Sequence, residues 1–184
     1  MIEPLIKEIE NALSHDLYFA ALSLALTLPD ICGRAEYPNA NVTARYISWY
    51  NEYIGHYEQC PCDACREAQM PFLSGEVVYN LRNSFLHQGT PNIDSSKIKA
   101  SDNKLDEFTL VFGKKNEFDI YSDASSIVSS NDGIVPNRSY RVNVRRLCQI
   151  ITLCAKGYYQ KNKDKFDFFN YKILVWDKEV SMLK

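Results

Sequence analysis

Leu81-Arg82-Asn83-Ser84-Phe85-Leu86-His87-Gln88, stopped by Gly89 and Pro91, places an arginine and a histidine five positions apart on one apolar helix. Ser74 is placed to cap that helix and Gly89 to end it, so it spans Gly75 to about Gln88. At about 100° per residue, Val77, Val78, Leu81 and Phe85 share one quadrant. The opposite side carries Arg82, Leu86, Tyr79, Asn83 and His87 in angular order. A solvated face would not hold Leu86 between functional groups. Both faces are therefore expected to be covered, as in a helical bundle or a pairing of two copies.

Arg82 and His87 stand about 140° apart on this wheel, and a two-fold pairing across Tyr79 and Leu86 would let them converge. Such a pair suits phosphodiester cleavage. Histidine moves protons near neutral pH, and arginine clamps a phosphate with two donors. Asn83 lies one turn before His87, where it can orient the imidazole or a phosphate oxygen. This chemistry requires no metal. The plainer alternative is a surface arginine and a C-terminal capping histidine.

The remaining chain reads as more helix. Ile2, Leu5, Ile6, Ile9 and Leu13 repeat at helical spacing. Leu17 to Leu28 is apolar almost all round, predicting a central helix capped by Asp16 and stopped by Pro29. Asn41 to about Tyr57 is a third helix, whose Tyr46, Trp49, Tyr50 and Tyr53 read as core before base-stacking groups. Val142 to Lys161 is a long amphipathic helix. Phe108–Phe112 and Glu117–Tyr121, around Gly113-Lys-Lys-Asn116, predict a β-hairpin within residues 105–123, and residues 122–137 read as a loop. The expectation is one mainly α domain over residues 1–184: four or five helices with a small hairpin insertion.

Composition narrows the function. With 46% hydrophobic and 24% charged residues, the chain is globular. It has no apolar run of membrane-spanning length and no secretory leader is visible, so the expected location is cytoplasmic, with six reduced cysteines. Net charge is −2, which excludes a general nucleic-acid coat. Residues 1–76 hold four Lys/Arg against eleven Asp/Glu, whereas residues 138–165 hold eight against one. Arg138, Arg141, Arg145 and Arg146 are thus candidates for an RNA-binding face, although the two halves can also pair with each other or with a second copy. His56, Cys60, Cys62 and Cys65 lie within ten residues and form a candidate structural zinc site, with Cys32 a distant alternative ligand. The other reading is a loop of free thiols.

Arg82-Asn83-Ser84-Phe85-Leu86-His87 resembles the Arg-x(4–6)-His motif of the HEPN superfamily of helical nucleotide-binding domains. The flanks Tyr79–Gly89 and the earlier Ala21–Gly33 are similar to uncharacterised bacterial HEPN-like proteins, so the likeness covers about residues 15–90. It implies a four- or five-helix bundle that dimerises through the motif helices. It implies a metal-independent endoribonuclease of toxin–antitoxin or phage-defence type, with an antitoxin or nucleotidyltransferase partner. Arg82 and His87 would then be catalytic and Asn83 supporting. Other members are non-catalytic nucleotide- or protein-binding modules.

Overall fold

The computed structural model describes residues 2–113, 121–129, 135–169 and 176. The chain is mainly helical with a small three-stranded sheet. Helix α1 (Ile2–Ser14) buries Ile2, Ile6, Ile9 and Leu13, the stripe its periodicity predicts. Helix α2 (Tyr18–Ala25) is shorter than expected and buries only Ala21, Leu22 and Ala25, leaving Leu17 and Phe19 exposed. Asp16 does not cap it. Its carboxylate instead accepts from Arg145 and the Tyr18 hydroxyl.

Pro29 does not stop a helix; it sits in the first turn of α3 (Leu28–Glu36). That position has no intrahelical acceptor for an N–H, so proline's missing donor costs nothing there. Asn41 caps α4 (Val42–Tyr50) by accepting from the Ala44 amide at 2.9 Å. The chain then widens into a π-turn, Asn51–Gly55, before the short helices α5 (His56–Glu58) and α6 (Asp63–Glu67). Tyr46, Trp49 and Tyr50 are fully buried, as the core reading expects. Trp49 stacks on Tyr53 and meets Tyr158 edge-on.

Helix α7 (Gly75–Gln88) starts in backbone contact with α4. A β-carbon on Gly75 would lie 2.6 Å from the Ile47 carbonyl oxygen, so only glycine allows this approach. The Gly75 amide also donates to Asn51 Oδ1 at 2.7 Å, tying the helix to the π-turn. Helix α8 (Val144–Lys161) packs against α1, α2 and α3. Its N-cap is Asn143, whose Oδ1 accepts from the Arg146 amide.

The β region differs from the expected hairpin. Strand β1 (Glu107–Val111) matches the first predicted strand, while residues 117–120 of the second lie outside the described residues. β1 pairs in parallel with β3 (Val135–Asn143), Glu107 opposite Ser139 and Val111 opposite Asn143. β3 also pairs antiparallel with β2 (Ser122–Ser129), giving the order β1-β3-β2. Most of the stretch read as a loop, residues 122–137, is therefore strand. Its serines mark an edge: Ser125 and Ser126 are exposed, and Ser125 bonds Ser139 across the ladder. Tyr140 and Val142 point into the core around outward Arg141, and β3 runs directly into α8. Among the described residues no helix is long and apolar enough to cross a membrane.

Candidate functional site

Helix α7 carries the site. The Ser74 hydroxyl accepts from the Val77 amide, and Gly89 closes the helix in the left-handed region at φ 69°. Its inner stripe is Val77, Val78 and Leu81, with Asn80 and Ser84 buried beside them. Those two polar residues escape a hydrophobic-pattern reading. Ser84 Oγ donates to the Asn80 carbonyl, and Asn80 Nδ2 donates to the Asp94 carbonyl, anchoring α7 to the following loop. The helix is thereby held on one side; on the other, Tyr79, Arg82, Asn83 and Leu86 are half-buried and His87 is exposed.

On that other side Arg82, Asn83 and His87 meet within a single chain. Arg82 Nη1 donates to Asn83 Oδ1 at 2.8 Å and to His87 Nε2 at 3.1 Å. The wheel angle of about 140° separates the backbone positions, and the long guanidinium stem spans the gap. A second copy is not required to bring the pair together. A guanidinium only donates, so His87 Nε2 is the acceptor in this contact. Asn83 orients the guanidinium rather than the imidazole. Arg82 Nε is buried with no hydrogen-bond partner among the described residues, and His87 is exposed.

Tyr79 and Leu86, the expected dimer contacts, are both half-buried in the monomer. Tyr79 accepts from Thr43 Oγ1 at 2.8 Å and packs on Tyr46. Apolar exposure lies alongside instead. Phe85 stacks on exposed Phe19, which meets exposed Phe112, and Leu17 is also bare.

The four arginines do not form one open face. Arg138 donates to the Ala68 carbonyl, Arg141 pairs with Asp123, and half-buried Arg145 bonds Asp16 and the Leu13 carbonyl. Arg145 and Arg146 edge a cleft of about 740 Å³ between α1 and α8, lined by Ile9, Leu13, Ile150 and Leu153. Neither Arg82 nor His87 lines it.

Cys60, Cys62 and Cys65 come together, their sulfurs all within 4.8 Å of one another, and such a cluster could hold a metal such as zinc. His56 does not join them. Its Nδ1 lies 3.2 Å from the Asn51 carbonyl oxygen and its ring lies against Tyr57. Cys32 is wholly buried elsewhere, and burial pushes its thiol far up. Hydrogen bonds from Cys65 lower the Cys62 thiol, while Cys65 itself is pushed up to about 12 by its neighbours' sulfurs.

Cys60 and Cys65 line a second cavity of about 190 Å³, together with Glu58, Asp102 and Asp123. Burial raises the Glu58 carboxyl to about 7, although the Tyr121 hydroxyl donates to it at 2.9 Å. Sequence reasoning misses Glu58 because its hydrogen-bond partner Tyr121 lies 63 positions away. No family model, curated protein or solved structure matches the chain.

Proposed function

We propose that the chain is a HEPN-like endoribonuclease that cleaves RNA without a metal, in a toxin–antitoxin or phage-defence setting. The observation that carries this reading is Arg82 Nη1 bridging Asn83 and His87 on one helix face. Acid/base cleavage needs a phosphate clamp and a proton-transfer group side by side, and this contact supplies both. An incoming phosphate takes the guanidinium donors in place of His87, which frees the Nε2 lone pair. Nε2 then removes the proton of a ribose 2′-OH. That oxygen bonds to the adjacent phosphorus, and the bond from phosphorus to the 5′-oxygen breaks. The leaving oxygen takes up a proton from water or from an imidazolium, giving a 2′,3′-cyclic phosphate and a 5′-hydroxyl.

One imidazole per chain supplies one proton-transfer group at a time. Of the three histidines, His15 and His56 contact backbone carbonyl oxygens away from this group. A second copy would bring a second His87, which gives the dimer a chemical role. The bare surface of Leu17, Phe19 and Phe112 beside Phe85 is the contact we assign to it. Phe19→Glu should convert a dimer to a monomer and reduce cleavage in parallel, checked by light scattering and RNA turnover. A variant that stays dimeric with unchanged turnover removes this surface from the proposal.

The reading is tested by incubating the chain in EDTA with an oligoribonucleotide and its fully 2′-deoxy counterpart. Only the ribo form should be cut. Cleavage of both would mean that the 2′-OH is not the nucleophile. Cleavage of neither would favour a non-catalytic binding module.

A further inference from the structure

The three clustered cysteines stand outside the chemistry of α7 and have a geometry of their own. A tetrahedral zinc ion with Zn–S bonds of about 2.3 Å sets its sulfurs about 3.8 Å apart. The sulfurs of Cys60, Cys62 and Cys65 already lie within 4.8 Å of one another, the Cys60–Cys62 pair at 3.3 Å. Small side-chain rotations close the remaining difference. The Cys65 amide donates to Cys62 Sγ at 3.3 Å, the kind of bond that orients a thiolate ligand.

The fourth position is the informative one. His56 is turned to the Asn51 carbonyl, so among the described residues the ligand set stops at three. Cys60 and Cys65 face the 190 Å³ cavity, whose other walls include Glu58, Asp102 and Asp123. Each of these carboxylates is already engaged: Glu58 by Tyr121, Asp102 by Gln59 and Asp123 by Arg141. A cavity with carboxylates in its walls next to three sulfurs suits an ion that takes sulfur and oxygen together, which is zinc's habit. The ligands also span only six residues, so clipping them together removes little chain entropy. A purely structural role gains little from so small a loop.

We propose that Cys60, Cys62 and Cys65 form a three-thiolate zinc site whose fourth position opens on this cavity and takes solvent or a small anion. Each thiol that binds as thiolate gives up its proton to solvent.

The test uses the full chain, reduced and stripped with a chelator, then titrated with Zn²⁺ alone and separately with Co²⁺. About one zinc should bind per chain. Cys60→Ser and Cys62→Ser should each weaken binding by about 100-fold or more, while His56→Ala leaves it unchanged. These cysteines are exposed, so circular dichroism should show both serine variants folded. The cobalt form should show a tetrahedral thiolate spectrum that shifts when azide enters the open position. Zinc uptake well below one equivalent, or equal uptake by the serine variants, overturns the site. A cobalt spectrum indifferent to azide, with binding weakened by His56→Ala, overturns the open position.

Discussion

His87→Ala should lower RNA cleavage by about 100-fold or more with the fold unchanged. His87 is exposed in the last turn of α7, and its imidazole is hydrogen-bonded to Arg82 Nη1. Removing it opens no cavity in the core, so circular dichroism and the unfolding midpoint should match the wild type. Its loss leaves Arg82 free to bind phosphate with no base beside it. Substrate binding should therefore weaken far less than turnover. Single-turnover cleavage rates and an RNA-binding titration on the same preparation separate the two. An intact fold with an undiminished rate would exclude His87 as the proton-transfer group.

The second large effect concerns stability and pH. Glu58 ionises at about 7 in the folded chain against an ordinary 4.5, because burial penalises its charged form. Between those values the folded state binds more protons than the unfolded one. Stability therefore falls as pH rises through that window, by up to about 3 kcal/mol, and levels off above it. Glu58→Gln keeps an oxygen to accept from Tyr121 while removing the charge. The variant should match the wild type at pH 4.5 and exceed it at pH 8. Urea unfolding of both proteins at the two pH values measures the difference. An equal gap at both would show that Glu58 does not titrate in the folded chain as its burial requires.

Local chemistry made part of this fold legible and non-local chemistry concealed the rest. Ser74 and Gly89 mark α7 through hydrogen bonds to their own neighbours, so the helix bounds follow from the sequence. Asn41 does the same for the start of α4. Pro29 misleads because proline suits a helix's first turn as well as the residue after its end. The sheet is concealed because β1 finds its partner about thirty residues away, and β2 is an exposed edge whose serines resemble a loop. At the site, the wheel places Arg82 and His87 apart by their backbone directions. It does not account for the reach of the guanidinium, and this is what joins them in one chain. The cysteine spacing anticipates three sulfurs that lie close enough to hold a metal. His56 is carried away because the π-turn sets α5 with its ring toward Asn51 and Tyr57.

The most direct test of the central claim is the chemistry of the cut ends. A mixed RNA pool is incubated with the wild-type chain in EDTA and the 3′ termini of the products are analysed. Termini bearing 2′,3′-cyclic phosphate, absent with His87→Ala, are the predicted result. Products ending in 3′-hydroxyl, or no products at any chain concentration, would contradict a metal-free ribonuclease built on Arg82 and His87.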